Sequence, residues 1–232
     1  MRIVGFLKTS LLDWDGKVSA VIYLEGCNFR CPFCHNRDIV LPGRIEEVPF
    51  DRIKEYLVEN ADFLDGVVIS GGEPTLNPDL LSLIKEIRSL GLEVKLDTNG
   101  TNPDMLDDLL GAGMLDYVAM DVKAPLDERY SHLSGVDGDP ELIRRSIGLI
   151  MSSGVDYEFR TTVVPVLIKE DDVEEIARAV KGARKYVLQQ FRPNVTLDAK
   201  LEALDPYPAS RIRAMAETVR PYVRKVIIRG DA

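Results

Sequence analysis

Strand and helix signals alternate through most of this chain. Short apolar runs typical of buried strands are separated by segments with helical spacing. Three helices have clear starts, because Asn77, Asn102 and Asp139 each stand directly before a proline. Recurring strand–helix units predict a parallel sheet, since each crossover returns the chain to the same edge. The predicted strands are 3–6, 17–25, 66–70, 93–97, 117–121, 157–164, 185–190 and 225–228, and the predicted helices are 50–59, 78–91, 103–113, 140–153, 171–181 and 209–219.

The number of these units sets the expected architecture. Six units run from the strand at 17–25 to the strand at 185–190, which is too few to close an eight-stranded barrel. We predict one α/β domain over residues 1–232, a partial (β/α)6 TIM-like barrel with short terminal strands. Its core spans about 17–193, and a C-terminal helix and strand follow at about 205–229. An open doubly wound sheet stays the alternative, because periodicity does not distinguish a curved sheet from a flat one.

Polar clusters follow four of the predicted strands. In parallel α/β folds the carboxyl ends of the strands gather the chemistry, because the loops there vary over a rigid base. We therefore predict that the four clusters share one mouth of the barrel. In chain order they are the cysteine loop with Cys27, Cys31 and Cys34, then Ser70-Gly71-Gly72-Glu73-Pro74, Asp97-Thr98-Asn99-Gly100 and Asp121-Val122-Lys123.

The cysteine spacing C-x3-C-x2-C indicates a metal site. These three cysteines are the only ones in the chain. They can hold a tetrahedral zinc only with a fourth protein ligand, for which His35 and His132 are the only histidines. Alternatively they hold three irons of a [4Fe-4S] cluster and leave the fourth iron open to an exogenous ligand. The residue types alone leave both readings open.

The same loop carries a resemblance. The C-x3-C-x2-C spacing with Phe33 before the last cysteine resembles the cluster loop of the radical S-adenosylmethionine (SAM) superfamily. The following His35-Asn36 is similar, more narrowly, to the activases of glycyl radical enzymes, and the G-G-E-P, D-T-N-G and D-V-K segments are similar to motifs of the same proteins. The resemblance implies that Cys27, Cys31 and Cys34 hold a [4Fe-4S] cluster, whose free iron binds SAM and whose electron cleaves it to a 5′-deoxyadenosyl radical.

The resemblance also implies a set of SAM contacts. Catalysis would need no acid–base residue, because the radical is carried by SAM and the protein supplies position and exclusion of water. A monovalent cation held by Asp97, Thr98 and Asp121 near the SAM carboxylate is part of the same expectation. The implied cofactor-binding residues are Asn36, Gly71, Gly72, Glu73, Asp97, Thr98, Asp121, Lys123, Arg160 and Arg192.

The two arginines in this list can also be interpreted without the resemblance. Arg160 alternates with apolar neighbours on a strand, where a charge is costly unless it faces a polar cavity or a partner. Arg192 stands where the activases commonly have a histidine, and a plain surface arginine is its alternative reading. Whether His35, His132 or Arg192 contacts SAM or substrate is not decided by the sequence.

The implied function is that of a radical SAM oxidoreductase that activates a glycyl radical enzyme. Anaerobic ribonucleotide reductase is the expected partner, with flavodoxin or ferredoxin as the electron donor. A radical SAM enzyme that modifies a small molecule or a peptide is one alternative, because fold and cofactor do not fix the substrate. A zinc-stabilised binding module without catalysis is the alternative from another class.

Composition excludes other partners. The formal charge is −9 and Lys and Arg do not cluster among aromatics, so we expect no nucleic-acid partner. No run of about eighteen apolar residues occurs, so we expect no membrane partner. Gly5, Lys8 and Asp13 interrupt the apolar N-terminal segment before a signal peptide could form. Together with the clustered thiols, this predicts a reduced, cytoplasmic and anaerobic setting.

Overall fold

The computed structural model describes residues 1–41, 43 and 45–230, and its centre is one eight-stranded sheet. The strands are β1 (Ile3–Ser10), β2 (Ser19–Leu24), β3 (Gly66–Gly71), β4 (Glu93–Thr98), β5 (Tyr117–Asp121), β6 (Asp156–Val163), β7 (Tyr186–Gln190) and β8 (Val226–Arg229). The helices are α1 (Arg37–Val40), α2 (Phe50–Glu59), α3 (Leu80–Ser89), α4 (Pro103–Gly111), α5 (Arg129–Ser134), α6 (Pro140–Ser152), α7 (Glu170–Ala179) and α8 (Ala209–Val219). Short 3-10 turns lie at Pro74–Leu76 and Ala199–Ala203.

The sheet is an unclosed barrel. Its strand order follows the chain from β1 to β8, with β1 antiparallel to β2 and every later neighbour parallel. A doubly wound sheet would reverse direction within its strand order, so that alternative is wrong. β1 and β8 are the two edges, and the barrel is open between them. The predicted partial barrel is confirmed.

Strand alternation separates an apolar face from a polar one. Ile22, Ile69 and Leu96 are fully buried in the main core, which also contains the inward faces of the helices. Their neighbours Ser70 and Asp97 point to the other side and line a cavity inside the barrel. Because successive strand residues face opposite sides, each strand serves both the core and the cavity.

A second, smaller apolar cluster lies inside the barrel. Trp14, on the loop between β1 and β2, packs with Val21 and Val68 against Tyr23 and Tyr117. The Trp14 and Tyr117 rings are 5.9 Å apart with their planes tilted by 54°. Trp14 and Tyr117 thereby fill space near the amino-terminal end of β5, away from the carboxyl ends of the strands.

Two of the three predicted helix starts are confirmed. Asn102 accepts the Met105 N–H at 3.3 Å and Asp139 accepts the Glu141 N–H at 2.9 Å, so both act as N-caps as expected. The predicted start at Pro78 is wrong, because α3 begins at Leu80 and Asn77 instead donates to the Pro74 carbonyl at 3.3 Å. In the described part of the chain, no helix combines the length and apolarity that a membrane span requires.

Candidate functional site

The four polar clusters converge on one cavity of about 910 Å³ at the carboxyl ends of the strands. That volume is large enough for a small-molecule ligand or cofactor. Glu73 is the one candidate residue that is not part of its lining. The candidate residues that do line it are Cys27, Cys31, Cys34, Asn36, Gly71, Gly72, Asp97, Thr98, Asp121, Lys123, Arg160 and Arg192.

The cysteine loop is held by its own backbone and by the end of α5. The Cys34 N–H donates to the Cys31 carbonyl at 3.0 Å, which turns the chain between these two cysteines. Arg30 donates its backbone N–H to the Ser134 carbonyl at 2.7 Å and its Nη1 to the Cys27 carbonyl at 2.6 Å. The loop is therefore fixed at both ends before any cofactor binds, which lowers the cost of ordering it around one.

Burial keeps the three thiols protonated in the protein without metal. It raises the pKa of Cys27 to about 11 and that of Cys31 to about 12, and it also raises the pKa of Cys34. The Phe29 N–H donates to Cys27 Sγ at 3.3 Å, which partly offsets the rise at that thiol. Because thiolates are the metal ligands, metal binding at this loop releases protons.

Among the described residues, no fourth zinc ligand joins the three cysteines. His35 Nε2 is 2.8 Å from the Arg192 carbonyl oxygen, and His132 is exposed on α5 outside the cavity lining. Among residues 1–41, 43 and 45–230, no three His, Cys, Asp or Glu side chains converge on a single ion position. A [4Fe-4S] cluster does not require the three thiols to converge on one ion, because each cysteine binds a different iron. Three thiols along one cavity wall fit that donor set.

The Gly-Gly turn after β3 is set by the close approach of the cysteine loop. A Cβ on Gly72 would lie 1.8 Å from the Gly26 carbonyl oxygen, and Gly71 has a φ of 120°. The Glu73 N–H donates to the Gly26 carbonyl at 2.8 Å, and Asn36 Nδ2 donates to the Gly71 carbonyl at 3.0 Å. The two glycines therefore join the cysteine loop to the cavity wall, a packing that no residue with a side chain would allow.

Glu73 does not face the cavity. Its carboxylate is fully buried, and it accepts hydrogen bonds from Thr75, from the Thr98 hydroxyl at 2.7 Å and from the Asn99 N–H at 2.6 Å. Burial raises its pKa, and these hydrogen bonds oppose that rise. The expected contact of the Glu73 side chain with SAM stays a prediction, and the carboxylate itself ties the loop after β3 to the loop after β4.

A charged group lies on β4, β5 and β6 and on the segment that follows β5. Arg160 Nε is 2.7 Å from Asp121 Oδ1, and its Nη1 is 3.2 Å from Asp97 Oδ2. Lys123 Nζ is 2.9 Å from Asp121 Oδ2, and Lys95 Nζ is 3.3 Å from Asp97 Oδ1. We call these five residues the upper charged group. Four of them bring cations and carboxylates together at the cavity, as the sequence predicts, and Lys95 is buried outside the cavity lining.

The pKa values in this group follow from burial and pairing. Burial opposes ionisation of Asp121, but attraction to Arg160 and Lys123 is stronger and holds its pKa well below the ordinary value. Burial likewise opposes the charged forms of Lys123 and Arg160, and attraction to Asp121 raises both pKa values above the ordinary range. All three side chains are therefore charged at neutral pH.

Sequence reasoning missed Lys95 and Asn99. Lys95 alternates with the apolar residues Val94 and Leu96 on β4, the same signal that identified Arg160 on β6. Asn99 lies inside the D-T-N-G segment, and its Nδ2 is 2.9 Å from Asn28 Oδ1 and 3.9 Å from Cys27 Sγ. Asn99 therefore links the loop after β4 to the first cysteine.

A second charged group lies near the amino-terminal ends of β6 and β7 and is completed by Arg229, the last residue of β8. Glu158, on β6, is 1% exposed and lies 2.9 Å from Arg229 Nη1 and 3.5 Å from Lys185 Nζ. Asp15 completes the group at 3.3 Å from Arg229 Nη2 and 3.4 Å from Lys185 Nζ. We call these four residues the lower charged group. It connects the β1–β2 loop to β8 and so bridges the open side of the barrel.

Comparisons with known proteins agree with this site. The profile of the Radical SAM superfamily matches residues 21–183. A Methanocaldococcus jannaschii protein provisionally named a glycyl-radical enzyme activating enzyme is 36% identical, over 98% of this chain and 95% of its own. The pyruvate formate-lyase-activating enzyme of Clostridium pasteurianum is 26% identical, over 97% of this chain and 96% of its own.

A solved structure shows the same fold. Streptococcus suis SuiB bound to S-adenosylmethionine superposes with a TM-score of 0.70 at 16% identity. The match covers 90% of this chain and 50% of SuiB, so this chain spans about half of the SuiB length. Members of the matched superfamily use a [4Fe-4S] cluster and SAM, which agrees with the three thiols and the charged wall in one cavity. The chain is therefore an enzyme that belongs to the radical SAM superfamily, in the group of the glycyl-radical enzyme activating enzymes.

Proposed function

We propose that this protein generates a glycyl radical on a partner enzyme, with a [4Fe-4S] cluster on Cys27, Cys31 and Cys34. When bound, the cluster and SAM supply one-electron cleavage to a 5′-deoxyadenosyl radical, which takes a hydrogen atom from the partner's glycine. The observation that carries the proposal is that the three thiols share one cavity with four residues of the upper charged group, Asp97, Asp121, Lys123 and Arg160. In all further steps the protein positions the reactants and excludes water.

Different residues of the chain would bind the carboxylate and the ammonium group of SAM. Lys123 and Arg160 offer cationic nitrogens to the SAM carboxylate, and both are held in place by Asp121. The wall at Gly71 and Gly72 presents backbone carbonyls, which can accept from the SAM ammonium. Charge-assisted hydrogen bonds of this kind are the strong ones in a buried site, so they orient SAM relative to the cysteine loop.

The open side of the barrel supports a macromolecular substrate. The cavity continues from the cysteines to Leu11 and Leu12 on the β1–β2 loop and to Arg229 and Gly230 at β8. Leu11 and Leu12 are 69% and 84% exposed, which is unusual for two adjacent apolar side chains beside a cavity. A glycine-containing loop of a partner that enters the cavity beside Leu11 and Leu12 would cover both leucines.

A particular glycyl radical enzyme and a particular electron donor can also be proposed. We propose anaerobic ribonucleotide reductase as the enzyme that is activated, and flavodoxin or ferredoxin as the electron donor. The names of the relatives give the class, a glycyl radical enzyme, and one of them is named for activating pyruvate formate-lyase. The choice between reductase and lyase therefore requires a direct test with each protein.

The test begins with anaerobic reconstitution of the protein with iron and sulfide. Dithionite and SAM are added, and 5′-deoxyadenosine is measured for the wild type and for Cys34→Ala. Product from the wild type alone supports the cluster assignment. Each candidate partner is then mixed with the reduced protein and SAM, and an EPR doublet on the reductase supports the reductase. A doublet on the lyase alone would reassign the partner, and product without any doublet would favour a small-molecule or peptide substrate.

A further inference from the structure

Asn99 reaches one of the three thiols from outside the cysteine loop. It follows β4 directly, it is 5% exposed, and it lines the same cavity as the cysteines. Its Nδ2 lies 3.9 Å from Cys27 Sγ, to which the Phe29 N–H also donates, at 3.3 Å. Phe29 belongs to the cysteine loop itself, whereas Asn99 brings a donor to Cys27 from a different part of the chain.

The orientation of the Asn99 amide is fixed by its neighbours. Its Oδ1 accepts the Thr101 N–H at 3.0 Å and the Thr101 hydroxyl at 2.7 Å. In an asparagine the carbonyl oxygen accepts and the amino group donates, so the flipped amide would place its amino group against two donors. The Thr101 hydroxyl also accepts from Asn28 Nδ2 at 2.8 Å, which closes the network around the amide. Nδ2 of Asn99 is therefore held toward the cysteine loop.

The Asn99 amino group has one hydrogen for each of two neighbours in the cysteine loop. One is donated to Asn28 Oδ1 at 2.9 Å, and the other is directed at Cys27 Sγ. A cysteine that binds iron is a thiolate, and a charged acceptor makes stronger hydrogen bonds than a neutral one. The contact between Asn99 and Cys27 therefore matters most when Cys27 is an iron ligand.

We infer that Asn99 makes the cluster on Cys27 easier to reduce, by donating a hydrogen bond to this ligand. The inference rests on the proposed function, because it assumes the cluster ligands. Reduction adds one electron to the cluster, and donors to the sulfurs stabilise the added negative charge. The reductant supplies that electron, which then breaks a sulfur–carbon bond of SAM to give methionine and the 5′-deoxyadenosyl radical. Asn99 is a positioning residue, since it acts through Cys27.

The first test is the midpoint potential of the cluster, measured without SAM. Reconstituted protein is titrated anaerobically with dithionite in the presence of redox dyes, and EPR follows the reduced cluster. Asn99→Leu keeps a side chain of similar size and removes the donor. We expect the equilibrium constant for reduction to fall about 2- to 10-fold, the range that one net hydrogen bond produces. A tenfold fall corresponds to about 59 mV toward more negative potential for a one-electron couple. An unchanged or more positive potential would overturn the inference.

Asn28→Ala is the matched control. It removes the 2.9 Å hydrogen bond between Asn99 and Asn28 but leaves the Asn99 amino group facing Cys27. If Asn99 only joined the two loops, both substitutions would shift the potential equally, because both break this hydrogen bond. We expect the potential of Asn28→Ala to stay close to that of the wild type. An equal shift in the two variants would overturn the inference.

Asn99→Ser keeps the test usable if Asn99→Leu does not fold. A serine hydroxyl can still accept the Thr101 N–H, but it is too short to reach Cys27. We expect the same fall in potential, and a wild-type potential would overturn the inference. Failure of both Asn99 variants to hold iron, with Asn28→Ala loaded normally, would also overturn it, because Asn99 would then serve assembly of the site. A wild type without a reducible cluster would overturn the proposed function as well, so the two failures are distinguishable.

Discussion

The upper and lower charged groups are built from the same residue types but are balanced differently. In the upper charged group three cations face two carboxylates, and all of its residues except the buried Lys95 line the cavity beside the cysteines. In the lower charged group Lys185 and Arg229 face Asp15 and Glu158, so its charges cancel. The upper charged group, with Lys123 and Arg160 in the cavity lining, is the better placed of the two to receive a charged ligand. The lower charged group, of which only Asp15 and Arg229 reach that lining, mainly joins separate parts of the chain.

The location of each group supports this division. The lower charged group joins the β1–β2 loop to β8, the two parts of the chain on either side of the barrel opening. The upper charged group joins β4, β5 and β6, which are already paired in the sheet. The sheet therefore does not need the upper charged group for its connectivity, whereas the opening is bridged by the lower charged group.

The largest expected effect comes from Arg160→Met, because Arg160 pairs with both carboxylates of the upper charged group. We expect SAM binding to weaken about a hundredfold or more and the free energy of unfolding to fall by about 3–5 kcal/mol. Equilibrium dialysis and urea unfolding measure the two effects. Arg184→Met, which removes an exposed arginine paired with Asp156, is the control. Unchanged SAM affinity in Arg160→Met would contradict the assignment of the upper charged group.

The second-largest effect is expected for Glu158→Gln, in the lower charged group. The change leaves Arg229 and Lys185 without their buried partner, so we expect the free energy of unfolding to fall by about 3 kcal/mol. SAM affinity should change much less than in Arg160→Met, because Glu158 does not line the cavity and acts on Arg160 only through the attraction between their charges. Urea unfolding and dialysis on the same preparation test both statements. A loss of SAM affinity comparable with that of Arg160→Met would remove the distinction between the groups.

Acid pH should affect the two groups over ranges of different width. Asp121 and Glu158 have pKa values below their ordinary ones, so each stabilises the fold above the unfolded values of about 3.9 and 4.3. That contribution is lost as the pH falls through the lower, folded-state pKa. Asp121 is shifted far below its ordinary value, so its contribution persists to lower pH. The effect should be smaller than either substitution above, because protonation leaves the side chain in place.

The measurement is urea unfolding across the acid range. Both substitutions should flatten the fall in the free energy of unfolding from about pH 4 downward, and Asp121→Asn should flatten it over the wider range, extending to lower pH than Glu158→Gln. An Asp121→Asn curve that differs from the wild type over no wider a range than Glu158→Gln would contradict the pairing of Asp121 with Arg160 and Lys123.

The smallest effect is expected for Asp15→Asn. Asp15 is half-exposed, and Arg229 keeps its buried bond to Glu158 at 2.9 Å when Asp15 loses its charge. Exposed ion pairs contribute about 0–1 kcal/mol, so the free energy of unfolding should fall by less than about 1 kcal/mol with SAM affinity unchanged. Urea unfolding measures it, and a loss as large as that of Glu158→Gln would show that the Asp15 pair itself closes the barrel.

The sequence predicts the parts of the site that follow strands directly. The cysteine loop after β2 and the glycines after β3 are local features, and the parallel topology brings them to one mouth. Arg160 was also identified from one strand alone, because a charge among apolar neighbours needs a polar surrounding. These inferences require only the side-chain period and the direction of the strands.

The remaining features depend on register, which the pattern does not contain. Asp121 lies opposite Arg160 because β5 pairs with β6 in one particular alignment. Lys95, like Arg160, is a charged residue that alternates with apolar neighbours on a strand. Its pairing with Asp97 is evident only from the structure, where Lys95 Nζ lies 3.3 Å from Asp97 Oδ1. Glu73 was assigned to SAM by its motif, whereas its burial is set by Thr98 and Asn99 on the neighbouring loop.

The most direct test of this account is one assay of 5′-deoxyadenosine on iron-loaded, dithionite-reduced protein with SAM. Wild type, Arg160→Met and Glu158→Gln are compared at a temperature at which all three are folded. We predict product from the wild type and from Glu158→Gln, and a loss of about a hundredfold in Arg160→Met at limiting SAM. No product from an iron-loaded wild type, or equal product from all three proteins, would contradict the account.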